Sequence, residues 1–232
     1  MTRIYHISYH EALKSAVLFF DGCNFNCRGC LRKSVKFDCH LDHEIKGNPK
    51  FLEVEEVLEI LSKVELETVI FEGEEPTLDR SLKDICEGIE AKKILITNGY
   101  LMPPKCFDLV EVSIKAVTDE IHRFYTGRSN KKVLKNFVKL YERGDKLMVE
   151  TVLIPNLVDS DEIERIASFV ASVDPNIPMR IDAYWPIFDK SWRAPKDEEI
   201  SKAVKIAKRY LKFVNSLTGT CEIIGNVRSL YP

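Results

Sequence analysis

The 232 residues, 45% of them hydrophobic, can bury one sizeable core, and one domain spanning 1–232 fits that length better than two ordinary ones. With 34 Lys and Arg against 36 Asp and Glu, the net charge of −2 excludes the global basic bias that recruits nucleic acid. The first thirty residues lack a secretion signal and no apolar run approaches ~20 residues, so neither export nor a bilayer span is expected, and the cytoplasm is.

The expected elements alternate along the chain. An apolar strand over 16–21, "AVLFFD", runs into a loop containing Cys23, Cys27 and Cys30, and residues 31–50 read as irregular. Val54, Val57, Leu58 and Leu61 repeat at helical spacing and predict a helix over 53–64. A strand over 68–73 ends at Gly73, a helix covers 81–91, and the strand "KILITNG" stops at Asn98-Gly99. Then come a strand over 109–114, helices over 119–125 and 130–144, and a strand over 146–154 turning at Pro155-Asn156. A helix over 159–173 opens on an Asp/Ser cap, a strand covers 179–184, and a long helix spans about 197–215 before "CEIIGNV" closes the chain.

Six β-branched, apolar strands alternating with helices mean parallel strands covered by helices. Six βα units fall short of the eight of a closed barrel, so the expected fold is a partial (β/α)6 barrel, open on one side. In such folds function gathers at the carboxyl ends of the strands. The cysteine loop, Gly73–Glu75, Thr97–Gly99 and Ser113–Lys115 all fall at such ends and are expected to face one cavity.

Seven cysteines, an odd number unevenly spread, make a poor disulfide framework. Cys86, Cys106 and Cys221 stand singly in apolar contexts and read as small buried hydrophobes. The crowded three are different. Thiolate-preferring centres are zinc or iron–sulfur, and a structural zinc takes four protein ligands, commonly as two C-x-x-C pairs. Here the spacing is C-x3-C-x2-C with no second pair, so a zinc site would have to borrow Cys39 or His40. A 4Fe–4S cluster on three cysteines would instead leave one iron open to a substrate.

That triplet, placed after the first barrel strand, resembles the signature of the radical S-adenosylmethionine (SAM) enzymes. "GEEP" at 73–76 is similar to their G-G-E-P strand end, and "LITNGY" to their T-N-G strand end. Within that superfamily the chain looks most like the glycyl-radical-enzyme activases. "DEIHRFYTGRSNKKVLKNF" and "VLIPNLVDSDEIERIASFV" resemble two of their stretches, and the likeness runs from about residue 15 to 227. The resemblance implies one 4Fe–4S cluster on Cys23, Cys27 and Cys30, with SAM chelated to its open iron and cleaved to a 5′-deoxyadenosyl radical that abstracts hydrogen. It implies SAM contacts from Gly73, Glu74, Glu75, Thr97, Asn98, Ser113, Lys115 and Glu150, with Lys115 meeting the SAM carboxylate and Glu150 the ribose. The implied partners are a glycyl radical enzyme as substrate and an electron donor such as ferredoxin or flavodoxin.

Departures from the family pattern also matter. Gly29 stands where an aromatic that packs on adenine is usual, and Trp185 stands where a His is usual, so Trp185 is expected to supply the flat surface. Ser113 and Ile96 replace two Asp residues that serve a cation near SAM, which puts such a cation in doubt. The alternative substrates are a small molecule, another peptide or an RNA, and the alternative to catalysis is a zinc-binding module.

Overall fold

The computed structural model describes residues 1–34, 37–38, 43–44, 50–186, 191–218 and 225–231. Strands β1 (Ile4–His10) and β2 (Ser15–Phe20) pair antiparallel. After the cysteine loop come a short helix α1 (Leu31–Ser34) and a two-stranded ribbon, β3 (Phe37–Asp38) with β4 (His43–Glu44). Helix α2 (Val54–Ser62) begins at a box in which the Glu56 carboxylate accepts from the Glu53 N–H at 2.8 Å. It leads to β5 (Thr68–Gly73), a 3₁₀ turn (Pro76–Leu78), α3 (Leu82–Glu87), β6 (Lys92–Thr97) and β7 (Leu109–Ser113). Helices α4 (Asp119–Thr126) and α5 (Lys131–Glu142) precede β8 (Leu147–Leu153). The order continues with α6 (Ser160–Val173), β9 (Met179–Ala183), α7 (Asp197–Ala207), β10 (Val214–Leu217) and β11 (Val227–Tyr231).

Nine strands form one sheet in the order β10-β9-β8-β7-β6-β5-β2-β1-β11. From β2 to β10 every pair is parallel, whereas β1 and β11 are antiparallel additions at one edge. β10 and β11 lie at opposite ends, so the sheet is open and the α/β fold is a partial barrel, as expected. The β3–β4 ribbon and α1 form where residues 31–50 read as irregular, and three strands of the large sheet also exceed the expectation. β1 and β11 were not anticipated, and the helix expected to reach 215 stops at Ala207, with Val214–Leu217 forming β10 instead. Ile206, Tyr210 and Phe213 keep a helical spacing, but Lys212 N–H donates to Pro175 O and Met179 N–H to Phe213 O, each at 3.0 Å or less. Tertiary pairing with β9 overrides the local period.

Side chains alternate across the sheet because successive residues of a strand face opposite ways. Val69, Phe71, Leu95, Val110, Val112, Val149, Met179 and Ile181 go to the helix side and make the core. Burying one such Phe or Val contributes about 1.5–3 kcal/mol. On the other face, Tyr5, Val17 and Phe19 pack with Phe51 and Ile70 to fill one part of the concave side. The remainder of that side, from β5 to β9, sets Glu72, Glu111, Ser113, Glu150, Arg180 and Asp182 among Ile94, Ile96, Met148 and Val152.

Cys86 and Cys106 are bonded as a disulfide, correcting the expectation of two independent buried thiols. It ties the end of α3 to the segment between β6 and β7. Cys39, His40 and Cys221 lie outside the described residues, as does most of the 34–50 loop.

Candidate active site

The three remaining described cysteines are free thiols, Cys23 exposed and Cys27 and Cys30 partly covered. Their loop is fastened to the end of α4: Asn26 N–H donates to Thr126 O and Arg28 N–H to Tyr125 O, both at 2.9 Å. Arg128 Nε donates to Asn24 O at 2.6 Å. α4 ends there because Gly127 adopts φ +77°, a left-handed C-cap. Phe25 anchors the loop from inside, edge-on to His122 and Tyr100. His122 is buried, with Nδ1 2.7 Å from Arg128 O, and burial lowers its pKa, so it packs as a neutral ring. Asp119 Oδ1 accepts from Ser129 Oγ and the Asn130 N–H, and Asn130 Nδ2 reaches Val117 O at 2.5 Å. The D-E-x-H and T-G-x-S-N segments thus build the shelf on which the thiols sit.

The ends of β5 and β6 meet through Glu75. Its carboxylate, fully buried, accepts from Thr97 Oγ1 and Asn98 N–H at 2.7 Å and from Thr77 N–H at 3.1 Å. Burial raises its pKa against those hydrogen bonds. Glu75 therefore acts as a brace within the protein. Glu75→Ala would strand buried donors of Thr97 and Asn98 and is expected to lower the unfolding free energy by roughly 2–5 kcal/mol. Glu75→Gln, which keeps an acceptor, should fall between it and the parent in denaturant titrations.

Asn98 extends the brace to the thiols, its Nδ2 donating to Asn24 Oδ1 at 2.6 Å and lying 3.6 Å from Cys23 Sγ. Gly73 has φ +111°, and a Cβ there would lie 2.6 Å from Phe20 N, so only glycine lets β5 end against β2. Glu74, half-buried beside it, donates its N–H to Phe20 O.

On the concave face, Ser113, Glu150 and Arg180 are neighbours in register across β7, β8 and β9. Glu150 accepts from Ser113 Oγ and from Lys115 Nζ, the latter at 3.0 Å. Burial opposes the charge on Glu150, yet Lys115 and Ser113 outweigh it and lower the pKa. Burial likewise opposes the Lys115 ammonium, and Glu150 and Cys27 raise its pKa nonetheless. Lys115 is therefore held by the Glu150 carboxylate, with the thiol loop near enough for its charge to be felt. Burial pushes Cys23 up to about 11 and Cys27 to about 12, so both are thiols until a metal displaces their protons.

A second polar group was not foreseen. Arg180 pairs with Glu111 at 2.8 Å and Asp182 at 2.8 Å, and burial holds Glu111 at about 7. Arg32 pairs with Glu72 at 2.9 Å and stacks on Phe19. The signal was available: Glu72, Glu111, Glu150, Arg180 and Asp182 are charges at inner positions of otherwise apolar strands.

Trp185 lies at the end of β9, 44% exposed. Its neighbour Tyr184 is 3% exposed and occupies the space over Gly29, where a Cβ would lie 2.6 Å from the Tyr184 hydroxyl oxygen. Tyr184 is in turn edge-on to Trp192, 5.9 Å between centroids. A side chain at 29 and the Tyr184 ring exclude each other, so Tyr184, just after β9, fills the space that an aromatic before Cys30 would take.

The donor set fits a cluster better than a single ion. Among the described residues no three His, Cys, Asp or Glu side chains converge on one point. A 4Fe–4S cluster needs one thiolate per iron rather than convergence, and three free thiols spaced along one anchored loop meet that need.

Residues 17–170 match the Radical SAM superfamily, and the chain belongs to it. It is an enzyme of that type. Two proteins of Methanocaldococcus jannaschii, both provisionally named glycyl-radical enzyme activating enzymes, are similar to it. One is 32% identical over 91% of this chain and 83% of its own length, the other 28% identical over 90% and 92%. Streptococcus suis SuiB bound to S-adenosylmethionine shares the fold, with a TM-score of 0.66 at 16% identity, over 87% of this chain and 49% of that one. Superfamily membership implies the 4Fe–4S cluster and SAM. No helix among the described residues is long and apolar enough to cross a membrane.

Proposed function

We infer that this enzyme cleaves SAM reductively and uses the radical to abstract hydrogen from a glycine α-carbon of a partner protein, a glycyl radical enzyme. The observation that carries the chemistry is the loop of three free thiols held between α4 and Asn98, with the Lys115–Glu150 pair at the end of the adjoining strands. The provisional names of the two archaeal relatives support the choice of substrate. When bound on Cys23, Cys27 and Cys30, the cluster supplies the single electron that breaks the SAM sulfonium bond.

The chain's own residues do the positioning. Lys115 offers a cation to the SAM carboxylate while Glu150, itself held by the Ser113 hydroxyl, fixes the ammonium in place. Glu75, Thr97 and Asn98 fix the strand ends around the thiols, and Gly73 leaves backbone accessible there. Glu74 remains a candidate for the SAM amino group.

Trp185, exposed just after β9, keeps the adenine-facing role, with the buried Tyr184 filling the space over Gly29. Stacking is worth about 1–3 kcal/mol in nucleic-acid sites, so Trp185→Ala should raise the SAM dissociation constant roughly 5- to 150-fold with iron content unchanged. Parent-like affinity in Trp185→Ala would remove it from the site.

The half-buried Arg180–Glu111–Asp182 group favours a second reading, a polar small molecule on the concave face, since a glycine backbone offers no charge to meet it. Anaerobic incubation with SAM, a reductant and candidate glycyl radical enzymes separates the two. A glycine-centred EPR doublet supports activation, whereas 5′-deoxyadenosine without that doublet across candidate partners favours the small molecule.

A further inference from the structure

The three free thiols differ in what would offset their charge once deprotonated. Cys27 has the Lys115 cation within electrostatic reach. Cys23 is exposed and feels instead the buried Glu75 carboxylate, which works against a thiolate. Two N–H groups work for it. The Phe25 N–H donates to the Cys23 sulfur at 3.3 Å, and Asn98 Nδ2 lies 3.6 Å from the same atom.

The Asn98 amide is aimed at that sulfur by its other bonds. Oδ1 accepts from the Tyr100 N–H at 3.0 Å, which fixes the end of the side chain that carries the oxygen and so the end that carries the NH2. One hydrogen of Nδ2 goes to Asn24 Oδ1 at 2.6 Å, leaving the other for the sulfur. The backbone is pinned as well, since the Asn98 N–H donates to the Glu75 carboxylate at 2.7 Å. With Asn98 buried, water competes little for the place.

We propose that Asn98 sets the reduction potential of the cluster by donating a hydrogen bond to the Cys23 sulfur, holding it above the value the thiol loop alone would give. The proposal rests on the cluster reading above. A reduced cluster carries one more negative charge, shared with its thiolates. An N–H aimed at a sulfur therefore stabilises the reduced form more than the oxidised one. In this role Asn98 is a positioning residue that acts through Cys23, distinct from the SAM contact that its strand end implies.

The test is an EPR-monitored redox titration of reconstituted protein without SAM, so that a lost SAM contact does not register. Asn98→Leu, close in volume but without donors, should disfavour one-electron reduction roughly 3- to 10-fold, a midpoint about 28–59 mV lower. Asn98→Asp keeps an acceptor for the Tyr100 N–H but sets a negative charge near the sulfur, and its midpoint should lie lower still. Asn26→Leu, exposed on the same loop, should match the parent. Iron content should stay near the parent value throughout. A packing defect would destabilise the Asn98 variants without ordering their midpoints in this way. Parent-like midpoints in both, with or without weaker SAM binding, would overturn the proposal, as would a rise in either. So would loss of iron from both, which would make Asn98 a condition of loading. A parent that takes up no iron would instead refute the cluster reading beneath it.

Discussion

Alanine at Cys23, Cys27 or Cys30 is expected to abolish cluster incorporation and reduce SAM cleavage to the level without protein. These thiols are free, lie on one loop, and have no nearby substitute among the described residues. Each removal leaves two thiolates for an assembly that needs three, with the remaining shelf of α4 unchanged. Iron content and visible absorbance after anaerobic reconstitution read the result directly. Cys86→Ser, which opens the disulfide to Cys106, should spare the cluster because that pair staples α3 to the β6–β7 segment. A parent-like iron content in any of the three alanine variants would remove that residue from the ligand set.

The second large effect is at the Lys115–Glu150 pair, whose side chains are 17% and 8% exposed. Glu150→Gln leaves a largely buried ammonium without its carboxylate. Breaking a buried pair costs about 3–5 kcal/mol, and the residual exposure of Lys115 places this one at about 3 kcal/mol. The pH dependence distinguishes this from a packing defect. In the parent, Glu150 is lowered and Lys115 raised. The Glu150 contribution is therefore lost as pH falls through its folded pKa, and the Lys115 contribution as pH rises through its own. Without Glu150, burial dominates Lys115, and its folded pKa drops below the unfolded value. The variant should then gain stability as pH rises toward the ordinary lysine value, opposite in sign to the parent. Lys115→Met avoids the stranded cation. It should instead weaken SAM binding about 10- to 150-fold, the worth of a charge-assisted hydrogen bond to a carboxylate. Equal stability of Glu150→Gln and parent from neutral to alkaline pH would contradict the pairing, and unchanged SAM affinity in Lys115→Met would contradict the role.

The six expected parallel strands were legible because each is a short, largely apolar, β-branched run, most of them bounded by Gly, Asn or Pro. The edges were not. β1, "IYHISYH", interleaves His and Ser with apolar residues, and β10 hides inside a helical spacing that only its pairing with Met179–Asp182 breaks. The thiol loop was legible from spacing alone, and the strand-end residues from their positions after strands. What they do there was not: Glu75 reads as a SAM contact, and only the folded chain shows Thr97 and Asn98 sharing its oxygens. The Cys86–Cys106 bond and the Tyr184–Gly29 exchange join residues 20 and 155 positions apart, and nothing local announces either. Site residues that act through neighbours are invisible until the neighbours are placed.

The most direct test is mass spectrometry of SAM after anaerobic incubation with reconstituted, reduced protein. The account predicts 5′-deoxyadenosine and methionine in equal amounts, absent from the Cys23→Ala, Cys27→Ala and Cys30→Ala variants. Intact SAM beside a cluster shown by EPR to be reduced would contradict it.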